Sequence, residues 1–326
     1  MNNFFPSIVL VGLLGSLRGT GGVGLKLIPV GQVADSVNRS LAGASAVTTY
    51  QTHCWPYNTF ALVSSATEGV HVIDITDPTA PLPMGSASDG TNGFNALAGA
   101  MGAFTFHRGC REYAAVAAFD DDAVQLIELT DPNQLVAVGE LRDTDLLKLN
   151  GPRDLAGFVL DDKVYIIVAS PYDDGVQMID VTDPSNVTAL DGASNGEAGF
   201  SELDVAYSVE TYQMGNSVYA IVASRLHYGI QVIDVTDPSH IVALGNASSG
   251  NHFSELEGGV DLAVWERSGS HYAIVVGQQD DSVHVLNVTD PEHPSALGSA
   301  TDDESTMCAR LANHTIPQHT PDRCSD

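Results

Sequence analysis

The chain has 326 residues, 44% of them apolar, and sets 41 acidic against 13 basic residues for a formal charge of −28 and an isoelectric point near 4.3. The apolar share is enough for a sizeable core, whereas the acidic surplus excludes electrostatic binding to nucleic acid or to an anionic membrane surface. Two readings of the charge stay open: solvation in a salty medium, where screening blunts self-repulsion, and the binding of cations.

From the N-terminus, residues 4 to 17 ("FFPSIVLVGLLGSL") form an apolar run of the length of a secretory leader and too short for a comfortable membrane span. A leader over residues 1–21 is expected, although "MNN" lacks a basic residue and no A-x-A pattern follows. Repeats then fill residues 28 to 304 without a Pro/Gly/Ser linker, which predicts one domain at 22–304 and a tail at 305–326. An exported chain, extracellular or on the cell surface, fits the even count of four cysteines. Glycosylation sequons occur at Asn38, Asn186, Asn246, Asn287 and Asn313.

Thr-Asp-Pro recurs at Thr76-Asp77-Pro78, Thr130-Asp131-Pro132, Thr182-Asp183-Pro184, Thr236-Asp237-Pro238 and Thr289-Asp290-Pro291, at steps of 54, 52, 54 and 53 residues. A period of that length marks units that bury their apolar faces against their neighbours. Ahead of each copy stands a β-branched strand ("GVHVIDI", "AVQLIEL", "GVQMIDV", "GIQVIDV", "SVHVLNV") with His71, Gln125, Gln177, Gln231 or His284 in a shared polar position. Upstream runs a second apolar strand, opened each time by an aromatic: Phe60, Tyr113, Tyr165, Tyr219 and Tyr272. A third strand follows Thr-Asp-Pro, as in "IVALGNASS", and a fourth is expected to begin at Leu41, Leu97, Leu149, Leu203 and Leu256. In the corner itself, Pro presets φ at the second turn position and the preceding Asp can accept the following backbone N–H.

Four antiparallel strands per unit describe the blade of an all-β propeller. Five blades are expected, with six as the alternative, because "LIPVGQVADS" at residues 27–36 is a further copy of the outer strand. "GVQMIDVTDPSNVTAL" and "GIQVIDVTDPSHIVALG" resemble the LVIVD-repeat family. The resemblance implies β-propellers on secreted or surface-associated proteins and brings no catalytic residue to this chain.

Cys54 and Cys110 fall in equivalent hairpin turns of consecutive units, which pairs them and leaves Cys308 with Cys324 in the tail; free thiols or a metal site are the alternatives. Asp74, Glu128, Asp180, Asp234 and Asn287 close the strand before each corner and are expected to secure it by side-chain-to-backbone bonds, which would leave Asn287 poorly available for glycosylation. The turns between the two apolar strands carry Glu68, Asp121 and Asp122, Asp173 and Asp174, His227 and Tyr228, and Asp280 and Asp281. This acidic rim is the candidate ligand-binding surface; it could hold Ca²⁺ or attract a cationic partner, or it is a set of solvated turns.

None of the eleven histidines, His53, His107 and His227 among them, forms H-E-x-x-H or joins a G-x-S-x-G elbow, and His71 and His284 share a repeat position with Gln, which marks them as structural. The expected function is therefore a non-catalytic binding or adhesion module for a protein or glycan, requiring no cofactor. The alternatives are a hydrolase or lyase using unlike residues of the inner strands, with Arg153 and Asp154 as the nearest candidates, and a structural surface-coat component.

Overall fold

The computed structural model describes residues 41–248, 258–279 and 281–301. The leader, the additional outer strand at 27–36, Asn38, Leu256, Asp280, and the tail with Cys308, Asn313 and Cys324 lie outside the described residues. The described residues form five four-stranded antiparallel sheets, each built from consecutive strands in sequence order. Sheet 1 is β1 (Ala44–Gln51), β2 (Thr59–Ser65), β3 (Gly69–Asp74) and β4 (Leu82–Ala87). Sheet 2 is β5 (Ala100–Arg108), β6 (Arg111–Ala118), β7 (Ala123–Glu128) and β8 (Val136–Arg142), and sheet 3 is β9 (Asp154–Leu160), β10 (Lys163–Ser170), β11 (Gly175–Asp180) and β12 (Thr188–Ser194). Sheet 4 is β13 (Ala206–Met214), β14 (Ser217–Ser224), β15 (Gly229–Asp234) and β16 (Val242–Ser248), and sheet 5 is β17 (Gly259–Arg267), β18 (Ser270–Gly277), β19 (Ser282–Asn287) and β20 (Ser295–Thr301).

In sheets 1 to 4 the two middle strands are largely buried without alternation because both of their faces are covered, and Ile166, Ile167 and Val168 of β10 are all fully buried, whereas β18 and β19 of sheet 5 are buried only in part. The aromatic that opens each second strand stands opposite an aromatic near the end of the first. Phe60 packs on Tyr50, Tyr113 on Phe106, Tyr165 on Phe158, Tyr219 on Tyr212 and Tyr272 on Trp265, with ring centroids 5.2, 5.6, 5.5, 5.4 and 5.4 Å apart. Such cross-strand pairs fix register and add packing energy beyond their burial.

Every Thr-Asp-Pro phrase makes the same corner. Asp77, Asp131, Asp183, Asp237 and Asp290 each accept, on the carboxylate, the N–H two residues ahead, and each carbonyl accepts the N–H three residues ahead. The threonine acts across the sheet: Thr76, Thr130, Thr182, Thr236 and Thr289 accept, on the side-chain oxygen, the amides of Thr59, Glu112, Val164, Val218 and His271. Asp74, Asp180, Asp234 and Asn287 each accept the amide of the corner threonine, as expected, and Asn287 is thereby tied into the turn. Glu128 does otherwise and pairs with Arg111 at 3.3 Å.

Leu41, Leu97, Leu149 and Leu203 precede the first strands rather than opening them; the strands begin at Ala44, Ala100, Asp154 and Ala206. These leucines are buried plugs outside the ladder, and the amides of Leu97, Leu149 and Leu203 are held by the side-chain oxygens of Asp89, Asp143 and Asn195. Gln125, Gln177 and Gln231 accept a loop amide and donate to backbone carbonyls of their own sheets, so this buried polar position is structural.

The chain divides into two compact units, one holding β1–β12 with the Asp237–Ile241 corner, the other β13–β20. Within the first, one apolar core lies between sheets 1 and 2 around Phe60, Leu97 and Ile127, and another between sheets 2 and 3 around Leu126, Leu149 and Ile166. Within the second, a core between sheets 4 and 5 is built on Ile221, Val232 and Leu286.

Candidate functional site

Among the described residues, the point where the repeat is most disturbed is the β1–β2 connection, "THCWPY" within Thr52–Asn58. The segment folds on itself: the Thr52 amide donates to the Asn58 carbonyl at 3.0 Å, the Asn58 amide to Thr52 Oγ1 at 2.9 Å, and Thr52 Oγ1 to the Pro56 carbonyl. Cys54 is bonded to Cys110 in the β5–β6 turn, with Cα atoms 5.4 Å apart, which realises the first expected pair. Braced on both sides, the loop leaves Trp55 84% and Tyr57 71% exposed.

Beneath the loop lies Glu112, whose counterparts in the other sheets are Thr59, Val164, Val218 and His271. Its side chain is only 4% exposed, and its carboxylate accepts the His53 amide at 2.7 Å and faces His53 Nδ1 at 3.3 Å from both oxygens. The rings of His53 and His107 stack with centroids 3.3 Å apart. Tyr50 is buried alongside; among the described residues its hydroxyl has no hydrogen-bond partner, whereas its counterpart Tyr212 donates to the Val288 carbonyl at 3.1 Å. Burial, with the charges of Glu112 and Asp74, pushes the Tyr50 phenol above its ordinary value.

Two cavities meet at Glu112. The larger, about 440 Å³, is lined by Thr49, Gln51, Thr105, His53 and His107 with Tyr50 below. The smaller, about 190 Å³, runs under Trp55 and the disulfide toward Thr130 and Pro132.

The rim residues stand at the turns between the second and third strands, as expected, but several are committed to the backbone. Asp121 accepts the Ala98 amide at 2.8 Å, Asp173 the Asn150 amide at 2.8 Å, and Asp122 the Gly151 amide of the next sheet at 2.7 Å. Burial pushes the Asp173 carboxyl up, the Asn150 N–H opposes that, and the charges of Asp143 and Asp122 add to it. Thus Asp121, Asp122 and Asp173 serve the loops that lead into the first strands. Glu68 is held by its own amide on Ser65 Oγ, and Asp174, Tyr228 and Asp281 share a left-handed backbone with φ of 47°, 56° and 49°.

In the second unit His227 replaces the carboxylate. Its Nδ1 lies 2.8 Å from the Ser201 carbonyl and its Nε2 3.3 Å from Asp204, and Glu202 beside it is pushed up by burial, an effect that the neighbouring His227 and the Ser248 hydroxyl counter. Among the described residues no group of three or more His, Cys, Asp or Glu side chains is arranged to hold a metal ion. Asn186 and Asn246 are exposed, the latter donating to Ser201 Oγ at 3.1 Å. Arg153 and Asp154 sit where β9 meets β5, the Gly102 amide donating to the Arg153 carbonyl at 2.9 Å.

Sequence reasoning passed over Glu112, Trp55 and Tyr57 and set His53 and His107 aside with the other histidines. The available signal was the residue just before each opening aromatic, which reads Thr, Glu, Val, Val and His: a lone carboxylate in a position that is otherwise uncharged or apolar.

No family model matches the chain, and no curated protein does. Solved structures do. A Lactobacillus plantarum protein is similar with a TM-score of 0.54 at 16% identity, over 74% of this chain and 68% of that one. The periplasmic gluconolactonase of Pseudomonas aeruginosa gives 0.56 at 13% identity, over 74% and 67%. A lectin of Aleuria aurantia, solved with Fucα1-6GlcNAc, gives 0.52 at 7% identity, over 78% of each chain. With the five four-stranded antiparallel sheets of the described residues, these likenesses assign an all-β, propeller-like fold.

Proposed function

We propose that this chain is a secreted or cell-surface propeller of the LVIVD-repeat kind, acting as a non-catalytic binding or adhesion module whose ligand surface is the braced loop Thr52–Asn58 and the cavities beneath it. The observation that carries this reading is the exposure of Trp55 and Tyr57 on a loop fixed by a disulfide. Large aromatics held out in water by a rigid support are the usual anchors of recognition surfaces. The Cys54–Cys110 bond suits an oxidising, extracellular compartment. Propellers of similar fold include a lectin and a lactonase, so the fold accommodates ligand recognition of either kind.

The test is retention of the purified protein on intact cells or matrix of its source, wild type against the Trp55→Ala/Tyr57→Ala double variant. Retention lost in the variant supports the module; equal retention, or none in either protein, removes it. A calcium-dependent form rests on the rim acids: a melting temperature raised by millimolar Ca²⁺ supports it and an unchanged one discards it. The hydrolytic reading is favoured by one feature only, the His53–Glu112 pair, and hydrolysis of a lactone or glycoside that is lost in His53→Ala would establish it.

A further inference from the structure

We propose, resting on the binding-module reading above, that the two cavities meeting at Glu112 form a subsite for a neutral sugar ring at the end of a glycan. Size sets the first limit: about 440 Å³ falls in the range of small-molecule sites and suits one or two sugar rings.

Charge sets the second. Among the described residues neither cavity is lined by Lys or Arg, so an anionic ligand would meet no ammonium or guanidinium counter-charge on a protein of net charge −28. The single buried carboxylate, Glu112, already accepts the His53 amide and faces the His53 ring, so an ammonium group would have to displace a partner that is in place.

What remains suits uncharged hydroxyls. Thr49, Gln51 and Thr105 offer neutral donors and acceptors. When His53 donates from Nδ1 to Glu112, its Nε2 carries a lone pair that can accept a hydroxyl proton. Aromatic faces supply the other half of sugar recognition: Trp55 borders the smaller cavity and Tyr57 projects from the same loop, and both are free to stack against the C–H face of a pyranose. The internal bonds of the loop and the disulfide hold these groups in place before the ligand arrives, which lowers the entropic cost of binding.

The protein contains two tryptophans, Trp55 and Trp265, so the full chain carrying Trp265→Phe reports on Trp55 alone. Its fluorescence should respond saturably to one or more of fucose, galactose, mannose, glucose or N-acetylglucosamine. Glucosamine and glucuronate, the cationic and anionic probes, should bind at least about tenfold more weakly. By isothermal titration the favoured sugar should lose at least about tenfold in affinity in Trp55→Ala and in Glu112→Gln, each checked by circular dichroism for an intact fold.

The inference falls if no neutral sugar gives a saturable response, or if a charged probe binds as tightly. The cell-retention assay repeated after periodate oxidation of the surface separates the two levels. Retention that depends on Trp55 and resists periodate overturns the sugar while leaving the module standing; retention that never depended on Trp55 overturns both.

Discussion

The amide of Gly245 in β16 donates to the carbonyl of Pro291, in the corner of the following sheet, at 2.9 Å. The same bond joins Gly85 to Pro132 at 2.7 Å, and Gly139 lies against Pro184 in the same way. The glycine that recurs in β4, β8 and β16 and the proline of the next corner are therefore two halves of one contact between consecutive sheets. A Cβ at Gly85 would stand 2.7 Å from the Pro132 carbonyl, and at Gly139 or Gly245 it would also meet corner backbone. Gly85→Ala and Gly245→Ala should each cost about 1 to 3 kcal/mol in urea unfolding of the whole chain. Gly298 holds the same repeat position in β20, where a Cβ would meet nothing within 4 Å among the described residues, so Gly298→Ala should stay within about 0.5 kcal/mol of wild type.

That contact shows which parts of the fold were legible. Spacing alone located the corners and the aromatic that opens each second strand, because each is a repeated residue type answering a repeated local need, and the equivalent turns of two consecutive units located the Cys54–Cys110 bond; the aromatic partners on the first strands were not read. The glycine's partner was not legible, since it sits on the next sheet. The backbone bonds of the rim acids were equally out of reach: the amides that Asp121, Asp173 and Asp122 accept lie 23, 23 and 29 residues away on loops with no signature of their own. The site was hidden by its singularity, because Glu112 occurs once at a position where its counterparts are uncharged or apolar, and only its burial against His53 reveals a role.

Removing the disulfide tests how the exposed loop is supported. Cys54 and Cys110 are 56 residues apart, and their joint replacement by Ser should cost about 2 to 5 kcal/mol if released chain entropy dominates. Sugar or surface binding through Trp55 should weaken further than the stability loss explains, because the loop must then be ordered on binding. Thermal unfolding and binding measured on the same double variant check both effects; unchanged binding in a folded variant would mean that the internal hydrogen bonds of Thr52 and Asn58 suffice.

Glu202 and Asp183 predict opposite pH dependences. Burial raises the Glu202 carboxyl above its ordinary 4.5, so its contribution to stability is complete below that value and is lost as pH rises through the raised one. Glu202→Gln should therefore raise the melting temperature at pH 7 relative to wild type, and the gain should vanish as pH falls toward 4. Asp183 is held below its ordinary 3.8 by the Ser185 hydroxyl and amide, so its contribution is present above that value and is lost as pH falls further. Asp183→Asn should melt below wild type at pH 6, with the difference shrinking under pH 3.8. Melting curves across that range, in both variants, read the two signs directly.

The corner threonine offers the sharpest test of what the repeated phrase does. Thr182 Oγ1 accepts the amide of Val164 at 3.0 Å, and Val164 is buried, so its N–H has no access to bulk water. Thr182→Val keeps the shape and removes the acceptor, which should cost about 1 to 3 kcal/mol because a buried donor is left unpaired. Thr182→Ser retains the oxygen and should recover most of that loss. Amide exchange separates this cause from a packing defect: in Thr182→Val the Val164 amide should lose protection well beyond the global change, whereas a general loosening would accelerate the Ile166 and Val168 amides of the same strand to a similar degree.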